Sequence, residues 1–526
     1  MTRTDATVFS SPWPDVDVPD VDLATHVLAT AERLGDKPAL VDGPSGRTVT
    51  YRRLADGAGR VAAGLAAKGL RKGDVFAMLC PNLPEYALAF YGVAAAGGVS
   101  TTVNPLFTAD ELARQLADSR ARWILTVPPL APKAVEAAGR TGIEEVFVLG
   151  EAEGLTPFAA LAAAGGDPPR VRVDPAEDLV ALPYSSGTTG LPKGVLLSHR
   201  NVVANLCQCR PVLSTDEHDV VLAVLPFFHI YGLTVVMGSA LSAGATLVTM
   251  PRFDLEEFLR LHAEHRVTRG FLVPPIMLAL ARHPLVDAYD LSALEFVTSG
   301  AAPLSAELEA AVEQRLGCVV TQGYGLTETS PVVTTSPGDP ARIRHGSVGQ
   351  LLPNTQLMVV EPQTGEPLPQ GETGELCFRG PQIMQGYLRD PDATAAMLRG
   401  DGWLATGDLG HVDPDGFVFV VDRVKELIKY KGLQIAPAEL EAVLLEHPEV
   451  ADAAVIRVPD EEAGEVPKAY VVAAGEVDAQ DVLRFVAERV APYKQVRQLE
   501  FIDRIPRAPS GKILRRVLMA RAAEGA

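Results

Sequence analysis

Two apolar patterns alternate over most of the chain. Between about residues 24 and 179, helical patterns such as YRRLADGAGRVAAGLAAKGL are followed by short apolar runs such as DVFAMLC and ARWILTV. Helix and strand patterns that alternate in this way are typical of α/β folds. The alternation resumes after residue 194, in ATLVTM, GFLVPP and LEFVTSG, and continues to QGYGLTET. We therefore predict two α/β subdomains, over about residues 1–180 and 181–345.

The pattern changes in the last third of the chain. Residues 346–422 carry short β-rich pieces, QLMVVE, GELCFRG and GFVFVVD, separated by Pro, Gly and Asp turns, and this predicts a small β-subdomain. Residues 427–526 then combine the helical patterns PAELEAVLLEHP and AQDVLRFVAERV with the strand patterns VADAAVIRVP and KAYVVAA. Each of these elements has its own apolar face. The sequence thus predicts a large N-terminal domain, residues 1–422, and a small α+β C-terminal domain, residues 427–526, joined by residues 423–426.

Charge and composition exclude several classes of partner. The 526 residues include 47 basic and 66 acidic side chains, a formal charge of −19, which argues against nucleic acid and anionic membranes as partners. Residues 230–250 are uncharged, but their Ser, Thr and Gly content fits lipid poorly. For this segment we expect a buried helix, a turn at Gly244 and a core strand.

The N-terminus has no apolar stretch typical of a secretory signal, and the five cysteines are an odd number, so we expect a cytoplasmic protein.

The segment SSGTTGLPKG combines hydroxyls, glycines and one lysine between the apolar runs LVALPY and GVLLS. Glycines let a backbone approach an anion, while hydroxyls donate to it and a lysine supplies positive charge. The common P-loop pattern does not apply, because Pro192 precedes the lysine and Gly194 follows it. We predict a phosphate-binding loop between two strands; the alternative is a Gly/Ser surface linker. The candidate ligands are Ser185, Ser186, Gly187, Thr188, Thr189, Gly190 and Lys193.

Further polar clusters follow along the chain. In QGYGLTETSP, the glycine-flanked Tyr324 suits stacking on a base, Thr327 could hold phosphate and Glu328 could hold Mg²⁺, although each alone could belong to an ordinary loop. In WLATGDLG, Asp408 could accept both hydroxyls of a ribose. In RIPRAPSGKILRR, Lys512 follows a Pro-Ser-Gly turn and is held at a loop tip.

A basic cluster lies in DRVKELIKYKG, where four basic side chains occur in nine residues. Taken alone, such a run of charge is usually a solvated face. The residues are Arg423, Lys425, Lys429 and Lys431.

Together these segments resemble the adenylate-forming superfamily of acyl-CoA synthetases, adenylation domains and luciferases. SSGTTGLPKG, YGLTE, TGD, DRVKELIKYKG and PSGK occur in the superfamily's order, and the resemblance covers nearly the whole chain. The segments PFFHIYG, GELCFRGPQIMQGYL and KELIKYKGLQIAPAELE look most like 4-coumarate:CoA ligases. The resemblance implies a two-step reaction in which a carboxylate attacks the α-phosphate of Mg·ATP, giving acyl-AMP and pyrophosphate, and the thiol of coenzyme A then displaces AMP.

The resemblance also implies roles for single residues in the first step. Lys512 reaches the carboxylate and the α-phosphate, and Lys193 with its loop holds the β- and γ-phosphates. Glu328 assists Mg²⁺, which makes it the expected metal-binding residue, and Thr327 contacts the α-phosphate. The remaining residues implied in ATP or AMP binding are Gln322, Gly323, Tyr324, Gly325, Asp408 and Arg423.

For the second step, the resemblance implies a mobile C-terminal domain that rotates about Lys425. Lys512 would then withdraw, and Lys429 with Gln434 would face the adenylate. The pantetheine channel would be lined by Lys431 and Gly432. By the same resemblance, His229 shields the adenylate or orients the thiol, although an isolated histidine of this kind is more often a core residue.

The acyl pocket implied by the resemblance is a narrow, mostly apolar slot suited to a flat aromatic acid such as cinnamate or 4-coumarate. Tyr231 could pair with a substrate phenol, but Val235 stands where plant coumarate ligases place a small hydroxyl side chain. We therefore expect unsubstituted cinnamate to be accepted nearly as well as coumarate. The pocket residues are Tyr231, Val235, Thr298, Ala301, Gly323, Pro331, Val332 and Val333.

The leading hypothesis is therefore an aryl-acid:CoA ligase that uses ATP, Mg²⁺ and coenzyme A and exists as a monomer or homodimer. A medium-chain fatty acyl-CoA ligase is the main alternative. A luciferase-like oxidase, a carrier-loading adenylation module and a silent nucleotide-binding protein stay open as further alternatives.

Overall fold

The computed structural model describes residues 8–163, 166–185, 192–423, 425–431, 433–460, 463–508 and 511–524, with the backbone alone at residue 434. Two α/β layers, a β-subdomain and a C-terminal domain make up the molecule. One large apolar core runs through the layers of the N-terminal part, from Leu23 to Val418. Two separate apolar clusters, which begin at Ile428 and at Ala454, belong to the C-terminal part. The C-terminal part thus buries apolar clusters of its own.

The first α/β sheet is mainly parallel. Its central strand, Val75–Leu79, is flanked by Val99–Thr102 and Trp123–Thr126, and each of these strands is a short buried apolar run or is rich in buried Thr and Val. In spatial order the strands are Tyr184–Ser185, Lys193–Ser198, Leu179–Ala181, Val99–Thr102, Val75–Leu79, Trp123–Thr126, Glu145–Val148 and Thr156–Pro157, and Gly386–Tyr387 pairs with Lys193–Ser198. The α-helices between Tyr51 and Leu213 are Tyr51–Ala67, Pro84–Ala95, Ala109–Ser119, Ala131–Ala138, Ala159–Ala163 and His199–Leu213.

The second α/β sheet has a parallel centre and antiparallel edges. In spatial order its strands are Gln350–Leu351, Val332–Thr335, Val319–Gly325, Phe296–Ser299, Arg269–Leu272, Val220–Ala223, Thr246–Thr249, Pro38–Asp42 and Thr48–Thr50. Its helices are Leu23–Leu28, Ala31–Leu34, Tyr231–Gly238, Ser239–Ala243, Leu255–His265, Pro274–Arg282 and Ala306–Leu316, of which Tyr231–Gly238 is a π-helix. Short 3₁₀ turns lie at Pro128–Leu130, Pro284–Ala288, Thr327–Thr329, Pro340–Arg342 and Pro492–Lys494.

The predicted division of the α/β part at about residue 180 does not match the sheets. The strand Pro38–Asp42 pairs in parallel with Thr246–Thr249, so an early piece of the chain belongs to the second sheet. The physical reason is that a strand can pair with any strand edge that the folded chain brings beside it. This long-range choice leaves no trace in the local periodicity of the sequence. The predicted α/β fold class itself agrees with the structure, whose two largest sheets are mainly parallel and carry helices.

The β-subdomain is an antiparallel sheet that begins with the N-terminal strand. In spatial order its strands are Val8–Ser10, Gln356–Val360, Gly374–Arg379, Leu404–Val412 and Val418–Arg423, with the helix Pro391–Met397 beside them. The C-terminal sheet has the order Leu433–Ile435, Ile428–Tyr430, Gly464–Ala473 and Val450–Asp460, and Gln498–Phe501 pairs with Gly464–Ala473. Its helices are Pro437–Glu446, Ala479–Ala487 and Arg515–Glu524.

The uncharged segment 230–250 folds as the sequence predicted. It forms the buried helices Tyr231–Gly238 and Ser239–Ala243, a left-handed turn at Gly244 with φ of 88°, and the core strand Thr246–Thr249. In the part of the chain that the structure describes, no helix combines the length and the apolar character needed to cross a membrane.

We expect the buried His199 to make the fold sensitive to acid. His199 Nδ1 accepts the Leu23 amide at 2.9 Å, and burial lowers the pKa of His199 to about 4. Because the folded pKa lies below the unfolded one, His199 contributes stability above pH 6.5, and this stability is lost as the pH falls from 6.5 towards 4. We expect His199 alone to lower the free energy of unfolding by about 2 kcal/mol between pH 7 and pH 5.

The variant His199→Asn separates this titration from the hydrogen bond, since an amide oxygen can accept from Leu23 without titrating in this range. We expect its thermal midpoint to change less between pH 7 and pH 5 than that of the unchanged protein. An equal change in both proteins would show that His199 does not carry the acid sensitivity.

Candidate active site

A mostly apolar cavity opens at the carboxyl ends of the central strands of the second sheet. The strands Phe296–Ser299 and Val319–Gly325 end here, and the π-helix Tyr231–Gly238 forms an adjoining wall. In open α/β sheets this edge is the usual place for a ligand, and π-helical segments often occur at functional sites. The cavity is lined by Leu213, His229, Ile230, Tyr231, Val235, Thr298, Gly300, Ala301, Gly323, Tyr324, Gly325, Leu326, Thr327, Pro331, Val332, Thr335 and Lys512.

Lys512 reaches this cavity from the C-terminal domain. Hydrogen bonds hold the lysine in place: the Ala508 amide donates to the Lys512 carbonyl at 2.8 Å, and Arg507 donates to the Gly511 carbonyl at 2.9 Å. Gly511 has φ of 84°, and a Cβ atom there would lie 3.2 Å from Val273 Cβ, so glycine suits both this backbone conformation and the close approach of the two domains.

The groups around Lys512 shift the pKa of its ammonium in opposite directions. Burial lowers the pKa of the Lys512 ammonium and the positive charge of Arg423 adds to this effect, whereas the carboxylates of Asp408 and Glu328 oppose it. A cation that lies so close to two carboxylates suits a site that joins anionic reactants.

His229 lies in the same cavity as a neutral imidazole. Burial, followed by the charge of Lys512, lowers the pKa of His229 to about 4. The Tyr231 amide donates to His229 Nδ1 at 3.3 Å, so the proton of the neutral ring is assigned to Nε2. At neutral pH, His229 can therefore donate a hydrogen bond through Nε2 without carrying charge.

Tyr231 forms a flat wall of the cavity. Its hydroxyl donates to the Thr298 carbonyl oxygen at 3.1 Å, and a Cβ atom at Gly300 would lie 3.1 Å from the ring. The phenol oxygen of Tyr231 retains acceptor capacity after this donation. Glycine at position 300 thus allows the ring to lie directly against the strand end.

Tyr324, Asp408 and Arg423 form a connected polar group beside the cavity. The Tyr324 hydroxyl donates to Asp408 Oδ2 at 2.6 Å, and Arg423 Nε lies 3.2 Å from Asp408 Oδ1. Asp408 and Arg423 are register partners on adjacent antiparallel strands, which explains why residues 15 positions apart meet. The structure thus brings together three residues that the sequence assigned to nucleotide binding.

Glu328 lies beside the cavity, in the 3₁₀ turn Thr327–Thr329, and is 3% exposed. Its Oε1 accepts the hydroxyl of Tyr387 at 2.7 Å. Within the described residues, no group of three or more His, Cys, Asp or Glu side chains could hold a metal ion. One buried carboxylate is nevertheless the usual protein share of a Mg²⁺ site that substrate phosphates complete. Glu328 therefore fits Mg²⁺ bound together with a nucleotide.

The segment SSGTTGLPKG connects two strands, as predicted: Ser185 pairs with Lys193 and Tyr184 pairs with Gly194 in antiparallel register. Lys193 Nζ lies 3.1 Å from Asp390 and 5.4 Å from the centre of the Tyr387 ring. The other predicted phosphate ligands, Ser186, Gly187, Thr188, Thr189 and Gly190, lie outside the described residues.

Profiles of known families match both parts of the chain. The profile of the AMP-binding enzymes matches residues 27–388, and that of the AMP-binding enzyme C-terminal domain matches residues 439–512. The chain belongs to the AMP-binding enzyme family. The predicted membership of the adenylate-forming superfamily is thereby confirmed.

Curated relatives of this AMP-binding enzyme match it from end to end. It is 44% identical over 530 residues to 4-coumarate--CoA ligase 5 of Oryza sativa subsp. japonica, with 98% of each chain covered. It is 42% identical over 530 residues to 4-coumarate--CoA ligase 1 of Petroselinum crispum, covering 98% of this chain and 97% of the relative. The predicted likeness to 4-coumarate:CoA ligases is confirmed.

Solved structures agree with this assignment. An anthranilate CoA ligase in complex with anthranoyl-AMP has a TM-score of 0.90 and 27% identity, over 97% of this chain and 98% of that chain. A benzoate CoA ligase from Burkholderia xenovorans LB400 has a TM-score of 0.86 and 25% identity, over 95% of this chain and 99% of that chain. The predicted fold class of this AMP-binding enzyme is confirmed.

The cavity of this AMP-binding enzyme is lined by all but one of the residues that the sequence assigned to the acyl pocket, and Val333 is the exception. Val332 lines the cavity, whereas Val333 is fully buried and does not line it. The reason is the alternation of a strand, which turns successive side chains to opposite faces.

Gln322, which the sequence assigned to nucleotide binding, is also buried, and its amide donates to the Leu304 carbonyl at 3.0 Å. Sequence reasoning missed the lining residues Leu213, Ile230, Gly300, Leu326 and Thr335.

A positional signal existed for some of these missed residues. Ile230 and Gly300 are sequence neighbours of Tyr231 and Ala301, which the sequence did assign to the slot. Leu213 ends the helix His199–Leu213, far away in sequence from every assigned pocket residue. Its position at the cavity depends on helix packing, which no local motif reports.

The lysines of the C-terminal domain that are expected to act in the second step do not line the cavity in this structure. Lys429 lies exposed on the strand Ile428–Tyr430, Lys431 lies exposed directly after it, and Lys425 lies exposed in the predicted hinge. Gly432 and the Gln434 side chain lie outside the described residues. The structure therefore shows the orientation of the C-terminal domain that brings Lys512, and not Lys429, to the cavity.

Several contacts between the domains accompany this orientation. Arg282 of the N-terminal domain donates to the Leu445 and Val450 carbonyls of the C-terminal domain at 2.8 and 3.3 Å. Across the hinge, Asp422 Oδ2 accepts the Ala438 amide at 3.1 Å, in the first turn of Pro437–Glu446. A carboxylate at a helix N-terminus is favourable, so this bond adds to the stability of the observed orientation.

Proposed function

We propose that the protein is an ATP-dependent aryl-carboxylate CoA ligase of the cinnamate or 4-coumarate type, which acts through an acyl-adenylate. The observation that carries the proposal is the position of Lys512 beside His229 and Thr327 in a cavity whose other walls are mostly apolar. This arrangement offers an apolar slot for an aromatic body and a cation where a carboxylate meets the α-phosphate. The likeness to curated 4-coumarate--CoA ligases supports the same reaction.

In the first step, the protein's task is to bring two anions together. Lys512 contacts the acid carboxylate and the α-phosphate and stabilises the charge of the pentavalent transition state. Thr327 contacts the α-phosphate, while Lys193 holds the leaving pyrophosphate. Tyr324 stacks on adenine, and Asp408 with Arg423 binds the ribose. Mg²⁺, held by Glu328 and the phosphates, supplies neutralising positive charge when it is bound.

In the second step, the C-terminal domain rotates about Lys425 and removes Lys512 from the cavity. Lys429 and Gln434 then face the acyl-adenylate, and Lys431 with Gly432 lines the channel for the pantetheine arm of coenzyme A. The thiol sulfur of coenzyme A bonds to the acyl carbon, the bond from that carbon to the phosphate oxygen of AMP breaks with its electron pair leaving on AMP, and the thiol proton is released to solvent. The neutral His229 orients the thiol without adding charge.

The walls of the slot favour a flat aromatic acid. Tyr231 offers an aromatic face and an acceptor oxygen, whereas Val235 offers a buried apolar surface. A substrate phenol could donate to Tyr231 but not to Val235. Because Val235 supplies no second partner, 4-coumarate gains at most one hydrogen bond over cinnamate, and we expect cinnamate to be used nearly as well. We further propose a cytoplasmic location and a monomer or homodimer as the state in solution.

A panel of acids tests the proposal. With ATP, Mg²⁺ and coenzyme A, we expect AMP and acyl-CoA from cinnamate and 4-coumarate with kcat/KM values within about tenfold of each other, since one hydrogen bond has a net worth of about 0.5–1.5 kcal/mol. AMP release and the thioester are measured separately. A preference for hexanoate or octanoate would favour the medium-chain alternative, and light emission with luciferin would favour the oxidase. The absence of CoA-dependent AMP release with every acid would contradict ligase activity.

A further inference from the structure

The segment around Tyr387 connects the two phosphate-side elements of the site. The strand Gly386–Tyr387 pairs antiparallel with Lys193–Ser198, so that Val195 is the register partner of Tyr387. The Leu388 amide donates to the Gly194 carbonyl at 2.8 Å. Tyr387 is thereby anchored through the backbone to the strand that begins at Lys193.

The side chain of Tyr387 points to Glu328. Its hydroxyl donates to Glu328 Oε1 at 2.7 Å, and the two side chains are buried, with Tyr387 6% and Glu328 3% exposed. The Met384 amide, three residues before Tyr387, donates to the Glu328 carbonyl at 2.9 Å. A phenol is protonated at neutral pH, so the Tyr387 hydroxyl is available as a hydrogen-bond donor.

The ring of Tyr387 also contacts Lys193. The Lys193 ammonium lies 5.4 Å from the centre of the ring, within the range of a cation–π interaction. Asp390, three residues after Tyr387, lies 3.1 Å from the same ammonium. The Tyr387 amide donates to Thr394 Oγ1 at 2.9 Å, which ties the segment to the helix Pro391–Met397.

We propose that Tyr387 is a positioning residue that sets Glu328 and Lys193 in register for Mg·ATP. Its hydroxyl orients the metal-binding carboxylate while its ring supports the lysine that receives the β- and γ-phosphates. The inference rests on the proposed function, because it assigns Glu328 to Mg²⁺ and Lys193 to phosphate. Groups that orient a metal ligand commonly affect metal affinity 10- to 100-fold when they are removed.

The variant Tyr387→Phe tests the role of the hydroxyl, because it retains the ring and removes only the donor. We expect the dissociation constant of Mn²⁺ in the ternary complex with ATP, measured by electron paramagnetic resonance without acid or coenzyme A, to rise about tenfold. The Mg²⁺ concentration that half-saturates pyrophosphate release should rise in parallel, while the KM for cinnamate stays unchanged.

Tyr184→Phe is the matched control. Tyr184 lies on another strand that pairs with Lys193–Ser198, and its hydroxyl also donates to a carboxylate, that of Asp118, at 2.6 Å. This variant should bind Mn²⁺ and ATP as the unchanged protein does. Equal weakening in both variants would overturn the inference, since it would indicate a general effect of losing a tyrosine hydroxyl in this sheet.

A double-variant cycle shows whether Tyr387 acts through Glu328. In the Glu328→Gln background, adding Tyr387→Phe should cause no further loss of Mn²⁺ affinity, because the two changes remove the same interaction. Additive losses would overturn the inference, as would wild-type affinity of Tyr387→Phe alone. The absence of Mn·ATP binding in the unchanged protein would instead overturn the proposed function, and with it this inference.

Discussion

Replacing Lys512 with alanine should lower the rate of acyl-AMP formation about 1000-fold, the upper range for removal of one preorganised group that stabilises transition-state charge. Lys512 reaches the cavity from the C-terminal domain, and among the described residues that line the cavity it is the one lysine. Without it, the carboxylate and the α-phosphate meet with less neutralising charge. The measurement is pyrophosphate release with cinnamate and Mg·ATP in the absence of coenzyme A.

The same variant should leave the second half-reaction nearly unchanged. Acyl-CoA formation from supplied cinnamoyl-AMP and coenzyme A should proceed within about threefold of the unchanged protein, a difference of less than 1 kcal/mol in activation free energy. Lys494→Ala is the matched control, because Lys494 belongs to the same domain and pairs with Glu439 on the surface at 2.7 Å. Equal slowing of both half-reactions by Lys512→Ala would contradict the proposal that Lys512 serves the first half-reaction and not the second.

Replacing Lys429 and Gln434 together with alanine should have the opposite effect. We expect thioester formation from supplied cinnamoyl-AMP to fall about 100-fold, while pyrophosphate release stays near the wild-type rate. Lys429 is exposed on the C-terminal sheet, where its amide donates to Glu465 at 2.7 Å, and its side chain does not line the cavity. Its removal therefore leaves the observed arrangement for the first step intact.

The two half-reactions must again be measured separately for this double variant. The combined reaction would fall with either defect, so it cannot assign the step. Lys494→Ala should pass both measurements here as well. Loss of pyrophosphate release in the double variant would mean that Lys429 or Gln434 serves the first step, which would contradict a rotation that exchanges the two lysines.

The contacts between the domains give this rotation a physical cost. The bonds from Arg282 to the Leu445 and Val450 carbonyls and from the Ala438 amide to Asp422 join residues of different domains or span the hinge. A large rotation about Lys425 would break such bonds. Each is a modest net interaction, of about 0.5–3 kcal/mol. The observed orientation can therefore be the more stable one, and the C-terminal domain can still rotate out of it during turnover.

Much of the local structure could be predicted because it depends on short-range patterns. The glycine-rich segment connects paired strands at Ser185 and Lys193, and residues 230–250 form helices, a turn at Gly244 and a strand, as expected. Apolar periodicity and glycine conformation act over a few residues, so the sequence reports them directly. The order of the motifs was sufficient to identify the superfamily, since the same chemistry needs the same residue types along the chain.

Other features could not be predicted, because they depend on which distant segments meet. The strand Pro38–Asp42 pairs across the second sheet, and Val333 turns away from the slot that its neighbour Val332 lines. The hydrogen bond from Tyr387 to Glu328 joins residues 59 positions apart, and neither the sequence around Tyr387 nor that around Glu328 indicates it.

The sequence by itself therefore determined the elements, the family and the residue types needed for adenylate chemistry, since these are written in local periodicity and motif composition. Only the tertiary structure decided which side chains share the cavity and which lysine occupies it. Lys512 and Lys429 both lie in the C-terminal domain, but the domain contacts present one of them to His229 and leave the other exposed. That choice arises from long-range packing and hydrogen bonding between domains, whose small free energies no single segment encodes.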